Sequence, residues 1–183
     1  SNDAGTGTLN AASNNTGLGN EVFDDLTTGD SNTAVGSAAL AKLTTAGENT
    51  AVGAAALGAN TTGAANTALG INSLVANTTA ANNTAVGRSS LEGNTTGTSN
   101  TAVGKDALQG NTTADNNTAV GYVALEANTT GTENVAVGAL AGDAITTGSH
   151  NTAVGYIALS TNITGVANTA VGREALKTSV ADG

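Results

Sequence analysis

The sequence contains no cysteine, proline, methionine or tryptophan, and its aromatic residues amount to two tyrosines and one phenylalanine. Without cysteine there is no disulfide framework and no thiolate metal site. Apolar residues make up 39% of the chain, but most of them are alanine, so no thick core of large side chains can be assembled. A thin core spread along an axis suits this inventory. Lysine and arginine total five against a net charge of −9, which excludes the clustered cations that a nucleic-acid partner requires. Charged residues are only 10% of the chain, so it is not a disordered polyelectrolyte. No apolar run approaches the roughly 20 residues that span a bilayer, and membrane insertion is not expected. The opening residues, Ser1-Asn2-Asp3-Ala4-Gly5, do not read as a signal peptide.

What the chain does contain is one phrase, Asn-Thr-Ala-Val-Gly, returning every 17 residues without insertion or deletion. Its copies begin at Asn15, Asn32, Asn49, Asn66, Asn83, Asn100, Asn117, Asn134, Asn151 and Asn168. A short fixed period is the mark of a solenoid. With the asparagine as position 1, position 4 is Val or Leu and position 5 is Gly in every copy. Position 9 is Leu or Phe except at Gly142, and positions 12–14 commonly read Asn-Thr-Thr. Residues 1–14 fit the same register as a degenerate leading coil, and residues 15–183 form the solenoid itself.

The recurrent Gly and Asn and the Thr-Thr pairs oppose a helix. The expected fold is therefore all-β, a parallel β-solenoid (a β-roll or β-helix) of ten 17-residue coils. Positions 2–4 and 6–9 are expected to be extended, with Asn-Thr-Thr as a third candidate segment. Gly at position 5 serves as a corner, because it adopts backbone angles closed to other residues. Successive coils would stack about 4.8 Å apart, making every repeat position a ladder.

Four columns are expected to carry the stack. They are an asparagine ladder (Asn32, Asn49, Asn66, Asn83, Asn100, Asn117), a valine column (Val35, Val52, Val103, Val120), corner glycines (Gly36, Gly53, Gly104, Gly121) and a leucine column (Leu40, Leu57, Leu108, Leu125). Side-chain amides can bond rung to rung as in amyloid ladders. Position 12 holds Asn in most coils but Leu26, Leu43 and Ile145 in three, which points it inward. In coil 134–150, Ile145 and Leu140 would replace the bulk missing at Gly142. The large apolar columns at positions 4 and 9 are expected inside. Strand alternation then turns the alanines of positions 3 and 8 outward, a surface that suits a second chain. Tyr122, Val123, Leu140, Tyr156 and Ile157 gather the aromatic and bulky aliphatic residues of positions 6 and 7, and are the expected subunit interface.

Catalytic chemistry finds little support. His150 is the only histidine, at a variable corner position, and has no second His or Cys to share a metal. A nucleophilic triad needs a positioned base, and the acids fall at different positions in different coils. No catalytic residue, cofactor or metal site is expected. Regular Thr columns raise ice binding as an alternative. The adjacent Thr-Thr of positions 13–14 opposes it, because neighbouring side chains point to opposite faces. Asn60, Asn77, Asn94, Asn111 and Asn128 match the N-glycosylation pattern, yet inward side chains would be closed to a glycan.

The phrase Asn-Thr-Ala-Val-Gly-x-x-Ala-Leu followed by Asn-Thr-Thr-Gly resembles the head repeats of trimeric autotransporter adhesins, and similar repeats in phage tail-fibre shafts. The likeness runs from Asn15 to Leu176. It implies a left-handed parallel β-roll, three chains side by side and attachment to a host or neighbouring cell surface. Leu9 and Asn10 begin in register and the last coil stops at Gly183, so neither end reads as capped, and end-to-end stacking is expected. The expected role is a structural subunit of an extracellular or cell-surface fibre whose main partner is itself.

Overall fold

The computed structural model describes residues 12–177, and among them the regular structure is entirely β. Ten three-residue strands, β1 (Thr16–Leu18), β2 (Thr33–Val35), β3 (Thr50–Val52), β4 (Thr67–Leu69), β5 (Thr84–Val86), β6 (Thr101–Val103), β7 (Thr118–Val120), β8 (Val135–Val137), β9 (Thr152–Val154) and β10 (Thr169–Val171), form one parallel sheet in chain order. Every pairing joins residues 17 apart, as in Thr84 with Thr101 and Ala85 with Ala102. The fold is a β-solenoid of about nine turns. The proposed leading coil falls mostly outside the described residues.

Only positions 2–4 are strands. Positions 6–9, expected to be a second strand, are a run of turns. The reason lies in the backbone: positions 7, 9 and 17 adopt left-handed angles in coil after coil, as at Ala38 (φ 57°), Leu40 (φ 49°) and Glu48 (φ 64°). These bends fold the coil back without losing its inter-rung bonds. The Ala38 N–H donates to Asn20 C=O at 2.8 Å, and the Leu40 N–H donates to Ala56 C=O at 3.1 Å. A leucine in this conformation costs about 1–2 kcal/mol. Full burial of its side chain returns about 1.5–3 kcal/mol, so the column at position 9 holds. The Asn-Thr-Thr segment is not a strand either but a bend. At position 5 the corner is as expected, with Gly36 at φ 132° and Gly104 at φ 137°.

The interior reverses one expectation. Alanines at positions 3 and 8 point inward, as at Ala34, Ala51, Ala39 and Ala56, all fully buried. Val35, Val52, Val103 and Val120 lie on the outer face of the sheet, half-buried among their neighbours. The cause is volume. Two alanines and the leucine of position 9 already fill the cross-section, and a valine column inside would overpack it. Local exchanges confirm how tight the fit is. In the first coil the larger Val22 and Phe23 stand where later coils have Ala and Leu, and Gly17 replaces the strand alanine. A Cβ there would come within 2.9 Å of Val22 Cγ1. In coil 134–150 the buried Ile145 does occupy the space beside Gly142, its Cδ1 being 3.1 Å from where a Cβ would stand. Leu140 remains half-exposed and does not share that role.

Candidate functional site

Position 1 is a buried asparagine ladder, and each of its side chains joins three stretches of backbone. Asn100 Oδ1 accepts the backbone N–H of Asn117, one rung on, at 2.9 Å. Its Nδ2 donates across the coil to Ala114 C=O, at position 15, at 2.8 Å. Asn32, Asn49, Asn66, Asn83 and Asn117 repeat this arrangement. The second ladder, at position 12, is also buried and bonds both along its own column and to the backbone of position 15. Asn111 Nδ2 donates to Asn94 Oδ1 at 2.8 Å and to Ala114 C=O at 3.1 Å. The five asparagines of the glycosylation pattern, Asn60, Asn77, Asn94, Asn111 and Asn128, all belong to this column and are fully buried.

Threonine occupies three columns with different duties. At position 13 the hydroxyl bonds to the next rung, as in Thr44 Oγ1 to Thr61 C=O at 2.9 Å and Thr95 Oγ1 to Thr112 C=O at 3.0 Å. Its neighbour at position 14, such as Thr45 or Thr113, points into solvent. At position 2, Thr33, Thr50, Thr67, Thr84, Thr101, Thr118 and Thr152 stand outward on the sheet with the position-4 aliphatics beside them. None of these position-2 hydroxyls has a hydrogen-bond partner among the described residues, unlike the position-13 hydroxyls in the intervening bends. The apolar column reaches 69% exposure at Leu18, 48% at Leu69 and 68% at Val171. No charged residue enters either column, although the chain has five basic and 14 acidic residues.

The expected interface cluster divides in two. Tyr122 and Tyr156 are 51% and 46% exposed, whereas Val123 is buried and Leu140 and Ile157 are half-buried. Position 6 projects outward and position 7, in its left-handed bend, tucks under it. A cation stands one rung from each tyrosine. The Lys105 ammonium lies 5.2 Å from the Tyr122 ring centre, and the Arg173 guanidinium lies 5.8 Å from that of Tyr156. Lys105 is also 2.6 Å from the Asp106 carboxylate, which raises its pKa above the ordinary lysine value. His150 sits at an exposed corner, its Nδ1 3.1 Å from the Glu133 carboxylate one rung away. Among the described residues no cluster of three or more His, Asp or Glu side chains is placed to hold a metal ion. Shallow depressions are lined in one case by Thr28, Asp30, Ser31 and Glu48 and in another by Thr161, Asn162 and Asn168, and in the first no lining hydroxyl is hydrogen-bonded to a lining carboxylate.

Sequence reasoning found the Thr columns but missed the valines that share their face, because it sent the valines inside. The signal that could have found it is the in-strand alternation of Thr with Val or Leu, which returns in every rung except β8, where Val135 takes the place of Thr. Candidate function therefore resides in surfaces: the uncharged Thr-Val sheet, the Tyr-cation edge beside it and the rung-to-rung stack itself. No family model matches the chain, and neither a curated protein nor a solved structure matches it.

Proposed function

We propose that this chain is a structural subunit of an extracellular or cell-surface fibre, a stiff rod with an attachment role. The observation that carries the reading is the direction of its hydrogen bonds. Within a coil, donors alternate between the rung on one side and the rung on the other: Gly36 N–H reaches Leu18 C=O, and Leu40 N–H reaches Ala56 C=O. Buried asparagines add a second set along the same axis. An object bonded this way is strong along one direction and lengthens by repetition.

The same pattern favours growth by stacking. A further rung placed on any coil meets the donors and acceptors that each interior coil already satisfies. Contact between chains of this kind is heterologous and need not close. The resemblance to adhesin heads supports the surface location and a left-handed coil as parts of the same proposal, with a lateral trimer as the alternative assembly. Electron microscopy of concentrated protein tests it. Unbranched single-file filaments with an axial repeat near 4.8 Å are expected. Discrete short particles at every concentration would refute end-to-end growth, and light scattering at the mass of three chains would favour the lateral trimer instead.

A further inference from the structure

We infer that the outer face of the ten-stranded sheet, the Thr column of position 2 with the Val/Leu column of position 4, binds ice. This goes beyond the fibre reading and does not depend on it, since the face lies along the side of the rod and not on the stacking direction.

Three observations meet on this face. First, its geometry is a two-dimensional lattice. In-register pairing places equivalent side chains about 4.8 Å apart along the rod, and alternate residues of one strand are about 6.6 Å apart across it. That array approaches the oxygen repeats on a prism face of ice. Ladders of identical side chains also favour flat sheets over the usual twist. Second, the hydroxyls are available. Those of Thr84, Thr101, Thr118 and Thr152 have no protein partner among the described residues, whereas position-13 hydroxyls are bonded to carbonyls of the next rung. Third, the face lacks charge throughout, and its methyl-bearing columns order first-shell water without offering it competing strong hydrogen bonds. The adjacent Thr-Thr of positions 13–14 has no bearing on this face, because its outward, half-buried pair is Thr and Val two residues apart.

A second copy of the chain is the rival occupant. Ten rungs of three residues span roughly 43 Å by 10 Å, on the order of 400 Å², against about 800 Å² per partner for a stable complex. Closing such a face would also bury a row of hydroxyls that needs new partners to avoid a desolvation cost.

The test is ice-crystal shaping and thermal hysteresis of the full chain in dilute solution. The wild-type chain is expected to facet ice crystals and to hold freezing below melting. Thr101→Tyr and Val103→Lys, at the centre of the face, should each remove most of that gap while circular dichroism and the melting temperature stay unchanged. Thr113→Tyr, on the exposed position-14 column, should leave the gap intact and serves as the folded control. Absence of hysteresis in the wild type would overturn the proposal. So would folded face variants that keep the full gap. A wild-type dimer or trimer that Val103→Lys dissociates, with no ice activity, would assign the face to self-association instead.

Discussion

The two asparagine ladders look alike in sequence yet carry different burdens. Position 1 is Asn in every coil, whereas position 12 accepts Leu26, Leu43 and Ile145. The difference lies in who else can serve the same backbone groups. In the five coils that begin at Asn49, Asn66, Asn83, Asn100 and Asn117, the carbonyl at position 15 receives two donors: Gly131 C=O accepts from Asn117 Nδ2 at 2.9 Å and Asn128 Nδ2 at 3.0 Å. In coil 134–150, Ile145 replaces the second donor, and Gly148 C=O relies on Asn134 alone, at 2.8 Å. The buried N–H of the next position-1 asparagine, by contrast, always depends on the position-1 side chain beside it. A ladder is replaceable where its duty is shared and fixed where it is not. Exchange at position 12 still leaves a trace, since Asn128 Oδ1, facing Ile145 instead of another amide, is buried without a partner.

This contrast can be broken in a graded way. Asn134→Ala removes the acceptor for Asn151 N–H and the donor to Gly148 C=O. Two buried groups left unpaired predict a loss of about 2–6 kcal/mol. Asn117→Ala orphans Asn134 N–H but leaves Gly131 C=O its bond from Asn128, so about 1–3 kcal/mol is expected. Denaturant midpoints of the two variants check the order, and equal losses would contradict the shared-carbonyl explanation.

Asn128→Leu merely moves the end of the position-12 ladder by one rung, transferring the orphan from Asn128 Oδ1 to Asn111 Oδ1. Stability should change by less than about 1 kcal/mol on its own. Combined with Asn117→Ala it strips Gly131 C=O of both donors. A double-mutant cycle should then show a destabilising coupling of about 1–3 kcal/mol.

Threonine columns sharpen the same rule. Thr95→Val deletes the bond to Thr112 C=O and should cost about 0.5–1.5 kcal/mol. Thr84→Val removes a hydroxyl that bonds nothing in the protein and should alter stability by less than about 0.5 kcal/mol. Thermal melting of the pair distinguishes them.

Asp143 gives the smallest effect and the only one set by pH. Burial raises its pKa, with Glu126 one rung away adding repulsion, and its Oδ1 lacks a partner. A raised folded pKa means the charged form opposes folding. That penalty is absent below the ordinary value of 3.8 and complete above the folded value. Asp143→Asn should therefore raise the melting temperature at neutral pH and make no difference in acid below the ordinary range.

The period, the stack, the two asparagine ladders and the buried leucine column were all legible in the sequence. Stacking turns each of them into a column, and a column shows itself as repetition. The substitution of Leu43 for Asn at position 12 was enough to turn that column inward. Two features were not legible. Hydrophobicity alone placed Val103 inside and Ala102 outside, whereas the narrow cross-section admits alanine and excludes valine. The left-handed bends at Ala38 and Leu40 were hidden as well, because neither residue favours that conformation and only the inter-rung bonds and burial sustain it. With the valines misplaced, the Thr-Val face could not be seen, and the interface cluster was drawn to include side chains such as Val123 that the bends bury.

The central claim is that residues 17 apart lie directly over one another along a single axis. Because the chain has no cysteine of its own, spin labels can be placed pairwise at exposed position-14 threonines. Pulsed dipolar spectroscopy on Thr45→Cys with Thr113→Cys should read about 19 Å, and Thr45→Cys with Thr147→Cys about 29 Å, a rise of about 4.8 Å per repeat. Separations that fail to grow linearly with the number of repeats, or that level off as in a globule, would contradict it.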